Sequence, residues 1–167
     1  MANGQFITLE NGKQTLKQAP AVSTGTAQAS QLIQTDANGL IDPSFLPTGI
    51  GDDSSTKPAG EDLSAGDYVA VVAGEFVKAD ATNPARPAIG FVQDAFLTGV
   101  PATVFHEGNN TSVTGLVSGT RYYLDAMGAV TDVATTTDGT IHQFLGIACD
   151  ATTLITEIGD CILLDLA

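Results

Sequence analysis

Few groups in this chain are equipped for chemistry: two histidines, two cysteines, some neighbouring carboxylates and a tyrosine pair. His106 adjoins Glu107 in a predicted loop and His142 sits in a predicted strand, and neither has a partner at metal-ligand spacing. Asp36-x-Asn38-Gly39 is like the opening of a calcium loop but lacks the later acidic ligands. Serine and threonine are plentiful, yet no Gly-x-Ser-x-Gly elbow occurs. A Ser-His-Asp triad assembles in space, so its mark would be a histidine joined to carboxylates in a cleft. There is no P-loop and no Gly-x-Gly-x-x-Gly run after a strand. Asp52-Asp53 and Glu61-Asp62 are paired carboxylates, but glycosidase chemistry needs them on a cleft. In linker-like sequence they read as solvated charge. Tyr122-Tyr123 and Phe76 suggest a carbohydrate platform, but neighbours on a strand face opposite ways, so one tyrosine belongs to the core and one to the rim. No catalytic, cofactor-binding or metal-ligating residue is assigned, and no enzyme is expected.

The elements around these groups point to an all-β chain. It has 167 residues, 18 glycines and no tryptophan, with short Val-, Thr- and Ile-rich runs between Gly, Asn and Asp turns. Strands are predicted at Tyr68–Val72, Phe76–Lys78, Ala88–Val92, Ala102–Phe105, Arg121–Leu124, Ile141–Ala148, Thr153–Thr156 and Cys161–Leu164. That spacing fits a β-sandwich or β-barrel over residues 59–167. Val69, Val71, Ile89, Phe91, Val104, Tyr123, Phe144, Ile147, Ile155 and Leu163 are the expected core. Cys149 and Cys161 are expected to be buried, reduced thiols rather than a disulfide.

Residues 1–47 differ in texture. Phe6-Ile7-Thr8-Leu9, between two Asn-Gly turn signals, predicts one short strand. Residues 13–31 are small and polar with no sustained period, so they cannot bury enough apolar surface to offset the entropy of ordering. An extended arm is expected there. Leu32-Ile33 and Leu40-Ile41 flank the turn signal Asp36-Ala37-Asn38-Gly39 and predict a short hairpin, followed by the apolar plug Phe45-Leu46. Residues 48–58 read as a flexible linker. Phe6, Ile7, Leu9, Leu32, Ile33, Leu40, Ile41, Phe45 and Leu46 are the candidate partner-binding residues, because the arm is too short to bury them itself.

Charge narrows the partner. Formal net charge is −13. Sixteen carboxylates in residues 51–167 face only Lys57, Lys78, Arg86 and Arg121. Neutralising phosphates needs clustered Lys and Arg, so neither nucleic acid nor an anionic membrane is an expected partner. No positively charged region leads into an apolar run at the N-terminus, and no window suits a membrane span. Folding in a cytosol is expected.

The stretch Leu32–Pro47, an apolar pair, then Asp-x-Asn-Gly, then Leu-Ile-Asp-Pro-Ser-Phe-Leu-Pro, resembles the joint between arm and head in bacteriophage structural proteins. Leu-Ser-Ala-Gly-Asp-Tyr-Val (63–69), Pro-Ala-Ile-Gly-Phe-Val (87–92), Gly-Leu-Val-Ser-Gly-Thr-Arg-Tyr-Tyr-Leu (115–124) and Gly-Asp-Cys-Ile-Leu-Leu (159–164) are similar to β-rich domains of phage capsid decoration (cement) and head-fibre proteins. The resemblance implies a homotrimer seated on the major capsid protein at the virion surface, with no catalytic residues. A head spike, short tail fibre or baseplate protein that binds a host glycan is the other implied role.

Overall fold

The computed structural model describes residues 5–21, 32–35, 39–41, 45 and 53–165. The chain is all-β: among the described residues there is no α-helix, and antiparallel sheets are accompanied by a 3-10 turn at Ala126–Gly128. It divides into two compact units, Met1–Gly51 and Asp52–Ala167.

In the first unit, β1 (Gln5–Glu10) and β2 (Lys13–Gln18) form a two-stranded hairpin. Asn11 and Gly12 make its turn, both with positive φ (50° and 78°). This is the handedness that matches strand twist, and it explains the Asn-Gly choice. Lys13–Gln18 therefore corrects the expectation of an irregular arm from residue 13. The hairpin expected within 32–47 is absent among the described residues. Instead the Gln34 amide donates to the Pro20 carbonyl at 3.0 Å, and the Gln18 amide donates to Gln34 Oε1 at 2.9 Å. The segment Leu32–Thr35 thus runs back to the end of β2. The calcium-like Asp36 and Asn38 lie outside the described residues.

The second unit begins earlier than expected. β3 (Ser54–Pro58) occupies what composition marked as linker, and it pairs with β7 (Pro101–Phe105). One five-stranded sheet runs β3-β7-β6-β4-β5, with β4 (Tyr68–Val72), β5 (Glu75–Lys78) and β6 (Gly90–Phe91). A second runs β10-β9-β12-β13-β8, with β8 (Gly108–Asn110), β9 (Arg121–Leu124), β10 (Val130–Thr131), β12 (Phe144–Ala148) and β13 (Leu154–Thr156). β11 (Ile141–His142) and β14 (Ile162–Leu163) form a small separate pair.

The two large sheets share one core. Tyr68, Ala70 and Phe91 from the first sheet cluster with Tyr122, Leu124, Leu145 and Leu154 from the second. Alternation gives β4 a buried residue on its other face: Val69 points the other way and joins Leu63, Phe76, Val92 and Val104. The outer face of the first sheet is therefore covered by the chain's own 59–63 and 89–96 segments. Among the described residues no buried side-chain nitrogen or oxygen lacks a hydrogen-bond partner. Tyr68 and Thr156 hydroxyls meet at 2.7 Å, and Asn110 Nδ2 donates to the Gly66 carbonyl at 2.9 Å. The Gln143 amide accepts from Ala88 N (2.8 Å) and donates back to Ala88 O (2.9 Å). Each bond replaces water that a buried polar atom would otherwise miss.

Val69, Phe91 and Val104 are buried as expected, but the expected parity fails on the second sheet. Ile147, Ile155 and Leu163 are exposed, as is Val71, while Ile89, Tyr123 and Phe144 are half-buried. The core takes Tyr122, Leu124, Leu145 and Leu154 instead, one residue along each strand. Such a slip exchanges the two faces completely. On β12 a register shift between Phe144 and Gly146 breaks the alternation. There Gly146 lies so close to the Ile155 carbonyl oxygen that a Cβ would collide with it.

Candidate functional site

The nine expected partner-binding residues have different fates. Ile7 (68 % exposed) and Leu40 (64 %) are the most open, and Leu32, Ile33 and Ile41 are exposed as well. Phe6 and Phe45 are half-buried. Leu46, and the side chain of Leu9, lie outside the described residues. One member escaped the sequence reading. Leu16 sits directly across from Ile7 on β2 and is exposed too. The Asn11-Gly12 turn was its signal, since a turn of that type requires a second strand after it. Ile7 and Leu16 form an apolar cross-strand pair on one face, while Phe6–Lys17 and Glu10–Lys13 are paired elsewhere along the ladder. A lone two-stranded ribbon is marginal in water. With an apolar pair exposed, it gains stability only where something covers that face.

His106 is held between strands. Its Nδ1 lies 2.9 Å from the Ile89 carbonyl oxygen, and its Nε2 lies 2.9 Å from Ser55 Oγ. A carbonyl only accepts, so Nδ1 carries a proton and donates to it, and the serine hydroxyl is the hydrogen-bond partner of Nε2. The pair has the hydroxyl–imidazole contact of a nucleophile and base. Its third partner is a carbonyl rather than a carboxylate, which orients the ring without an ionic charge to stabilise its protonated form. His142 packs edge-on to Tyr123, with ring centroids 5.1 Å apart. No group of three His, Cys, Asp or Glu side chains converges among the described residues.

Of the carboxylates read as solvated charge, Glu61 and Asp62 prove to be structural acceptors, and Asp52 lies outside the described residues. Glu61 accepts from Lys78 N at 2.7 Å and pairs with Arg86 at 3.2 Å. Asp62 accepts from both Thr98 N and Thr98 Oγ1 at 2.8 Å. Those bonds, the backbone one foremost, hold its carboxyl below the usual range. Cys149 and Cys161 are free and exposed, which corrects the expectation of buried thiols.

One tyrosine enters the core and one faces outward, as expected, but the assignment is reversed: Tyr122 is buried and Tyr123 lies on the rim, and Phe76 is fully buried and cannot join a platform with Tyr123. A hollow of about 420 Å³ lies elsewhere, lined by Thr82, Asp125, Thr131, Val133, Thr135 and Thr140 among others. Asp125 Oδ1 accepts from Ala126 N, and Thr131 Oγ1 accepts from Val133 N. Hydroxyls both donate and accept, so this lining suits a neutral polyhydroxy ligand, and the carboxylate disfavours an anion.

No protein-family model matches this chain, and no curated protein matches it. No helix among the described residues is long and apolar enough to cross a membrane.

Proposed function

We propose that this chain is a bacteriophage capsid decoration (cement) protein. It acts as a homotrimer on the outer surface of the virion shell. Residues 1–47 serve as an extended arm gripping the major capsid protein, and the body, a β-sandwich, projects outward and helps bridge neighbouring capsomers. The observation that carries this reading is the β1–β2 hairpin with its exposed Ile7–Leu16 pair, followed by exposed Leu32, Ile33, Leu40 and Ile41. These residues form an apolar series along a segment that its own unit leaves open. Strand addition at a hairpin edge and burial of the Ile7–Leu16 face would supply adhesion. Three arms per trimer add avidity without any one strong contact.

The test is co-sedimentation of the purified full chain with capsids that lack it. The pair Ile7→Asp and Leu16→Asp should abolish binding and leave the melting temperature of the body unchanged. Undiminished capsid binding by that variant overturns the reading.

The threonine-lined hollow favours a second role, a head spike or short fibre whose body binds a neutral host glycan. Asp125→Asn keeps an oxygen for Ala126 N but replaces the free carboxylate oxygen with a donor. Saccharide-dependent NMR shifts at this hollow, lost in that variant, would support a fibre, as would a low copy number per virion.

A further inference from the structure

All three Asn-Gly sequences of the chain, at 3–4, 11–12 and 38–39, fall within residues 1–47. In the body, Asn83, Asn109 and Asn110 precede Pro84, Asn110 and Thr111. An asparagine side chain is open to attack by the backbone nitrogen of the next residue, and glycine, having no Cβ, hinders that attack least. The hairpin presents such a pair in the open. Asn11 and Gly12 are both exposed at its tip, and a Cβ placed on Gly12 would meet nothing within 4 Å. Glu10 pairs directly with Lys13, so the turn has only these two residues. Among the described residues the sheet has no strand besides β1 and β2. The body's asparagines are held differently. Asn83 Oδ1 accepts from Ala85 N at 3.1 Å, and its successor is a proline with no N–H to lose. Asn110 is fully buried, with Nδ2 on the Gly66 carbonyl. Asn109 stands in the β8–β13 ladder opposite Ile155.

We infer that Asn11 is a site of spontaneous deamidation, with water as co-reactant, and that the product dismantles the β1–β2 turn. The Gly12 nitrogen loses its proton and bonds to the Asn11 side-chain carbonyl carbon. The bond from that carbon to the amide nitrogen breaks, and ammonia leaves with the proton. One water then opens the succinimide ring at either carbonyl, giving aspartate or isoaspartate. Nothing is oxidised or reduced. Ring closure needs a backbone torsion at residue 11 outside the left-handed region that the turn uses, so the step waits for the hairpin to open. A lone two-stranded ribbon opens readily. Isoaspartate adds one carbon to the main chain inside a two-residue turn, which the Glu10–Lys13 register does not accommodate. Ile7 and Leu16 then no longer face each other. The chemistry is independent of the cement reading, and only its effect on capsid grip depends on it.

The test ages the full chain in mildly alkaline buffer made with heavy-oxygen water. Tandem mass spectrometry of its peptides locates the label, and amide exchange reports on the hairpin. Asn11 should take up one heavy oxygen at least about tenfold faster than Asn109, partly as isoaspartate. The isoaspartyl fraction should lose exchange protection across β1 and β2. Asn11→Gly keeps a turn of the same type and should show no loss of protection on ageing. An Asn11 amide as long-lived as that of Asn109 overturns the inference. So does an isoaspartyl chain whose hairpin exchanges like that of fresh protein. An isoaspartyl chain with an opened hairpin that still grips capsids defeats the cement reading alone.

Discussion

The Tyr68 hydroxyl on β4 meets the Thr156 hydroxyl on β13 at 2.7 Å, so one buried polar bond ties the first large sheet to the second. Both groups sit in the shared core, Tyr68 with no exposed surface and Thr156 with almost none. Removing one hydroxyl takes away the other's partner in this bond. Tyr68→Phe or Thr156→Val alone should each cost about 1–3 kcal/mol in urea unfolding. The double variant should cost clearly less than the sum, and strict additivity would show that the two hydroxyls are independent.

The same phenol makes the protein sensitive to alkali. Burial pushes Tyr68 up to about 12, while the bonds from Thr156 and Asn110 pull the other way. Below pH 10 the group is neutral whether the chain is folded or not, so its contribution is constant there. Between about pH 10 and 12 the unfolded chain loses the proton and the folded chain keeps it. Stability should therefore fall as pH rises, by roughly 2–3 kcal/mol over that window. Denaturation curves of wild type and Tyr68→Phe should converge over the same range, and parallel losses would sink the prediction.

At Gly146 there is no room for even one methyl group, because the Ile155 carbonyl oxygen on β13 occupies its place. Gly146→Ala should destabilise the body by at least about 2 kcal/mol. A melting temperature equal to wild type would mean that the β12–β13 ladder yields without cost.

The turn Ala73-Gly74 joins β4 to β5, and Ala73 is held at φ 52°. A side chain bearing Cβ pays about 1–2 kcal/mol for that conformation, whereas asparagine accepts it more readily. Ala73→Asn should raise stability by about 1 kcal/mol, read as a higher urea midpoint at constant slope.

The Asp150 carboxylate shapes the β12–β13 connection, accepting from Thr152 N, Thr152 Oγ1 and Thr153 N. Those bonds, led by the Thr152 backbone, hold its carboxyl below the usual range. Asp150→Asn should keep the turn and remove only the charge, whereas Asp150→Ala should speed amide exchange in Thr152 and Thr153.

How much of this was legible in the sequence depended on the kind of signal. Strand positions from Tyr68 onward followed from runs of β-formers between turn residues. The division of Tyr122 from Tyr123 followed from alternation alone. Which face was inside did not, because β12 is apolar on both sides: Leu145 and Ala148 inward, Phe144 and Ile147 outward. The β2 strand was hidden because Lys13–Gln18 carries a single large aliphatic, Leu16. The Ser55–His106 contact spans 51 positions in sequence, and the Gln143–Ala88 clamp spans 55. Neither leaves a local pattern, since each is created only when the strands pair.

The scarcity of free cations on the body has a consequence for how it responds to salt. With Lys78 and Arg86 committed to internal ion pairs, the surface presents its carboxylates almost unopposed. Electrostatic range in water shrinks from about 10 Å at 0.1 M salt to about 3 Å at 1 M. Copies crowded side by side should therefore pack more densely as ionic strength rises, and dilute buffer should loosen them. Most assemblies held by opposite charges do the reverse.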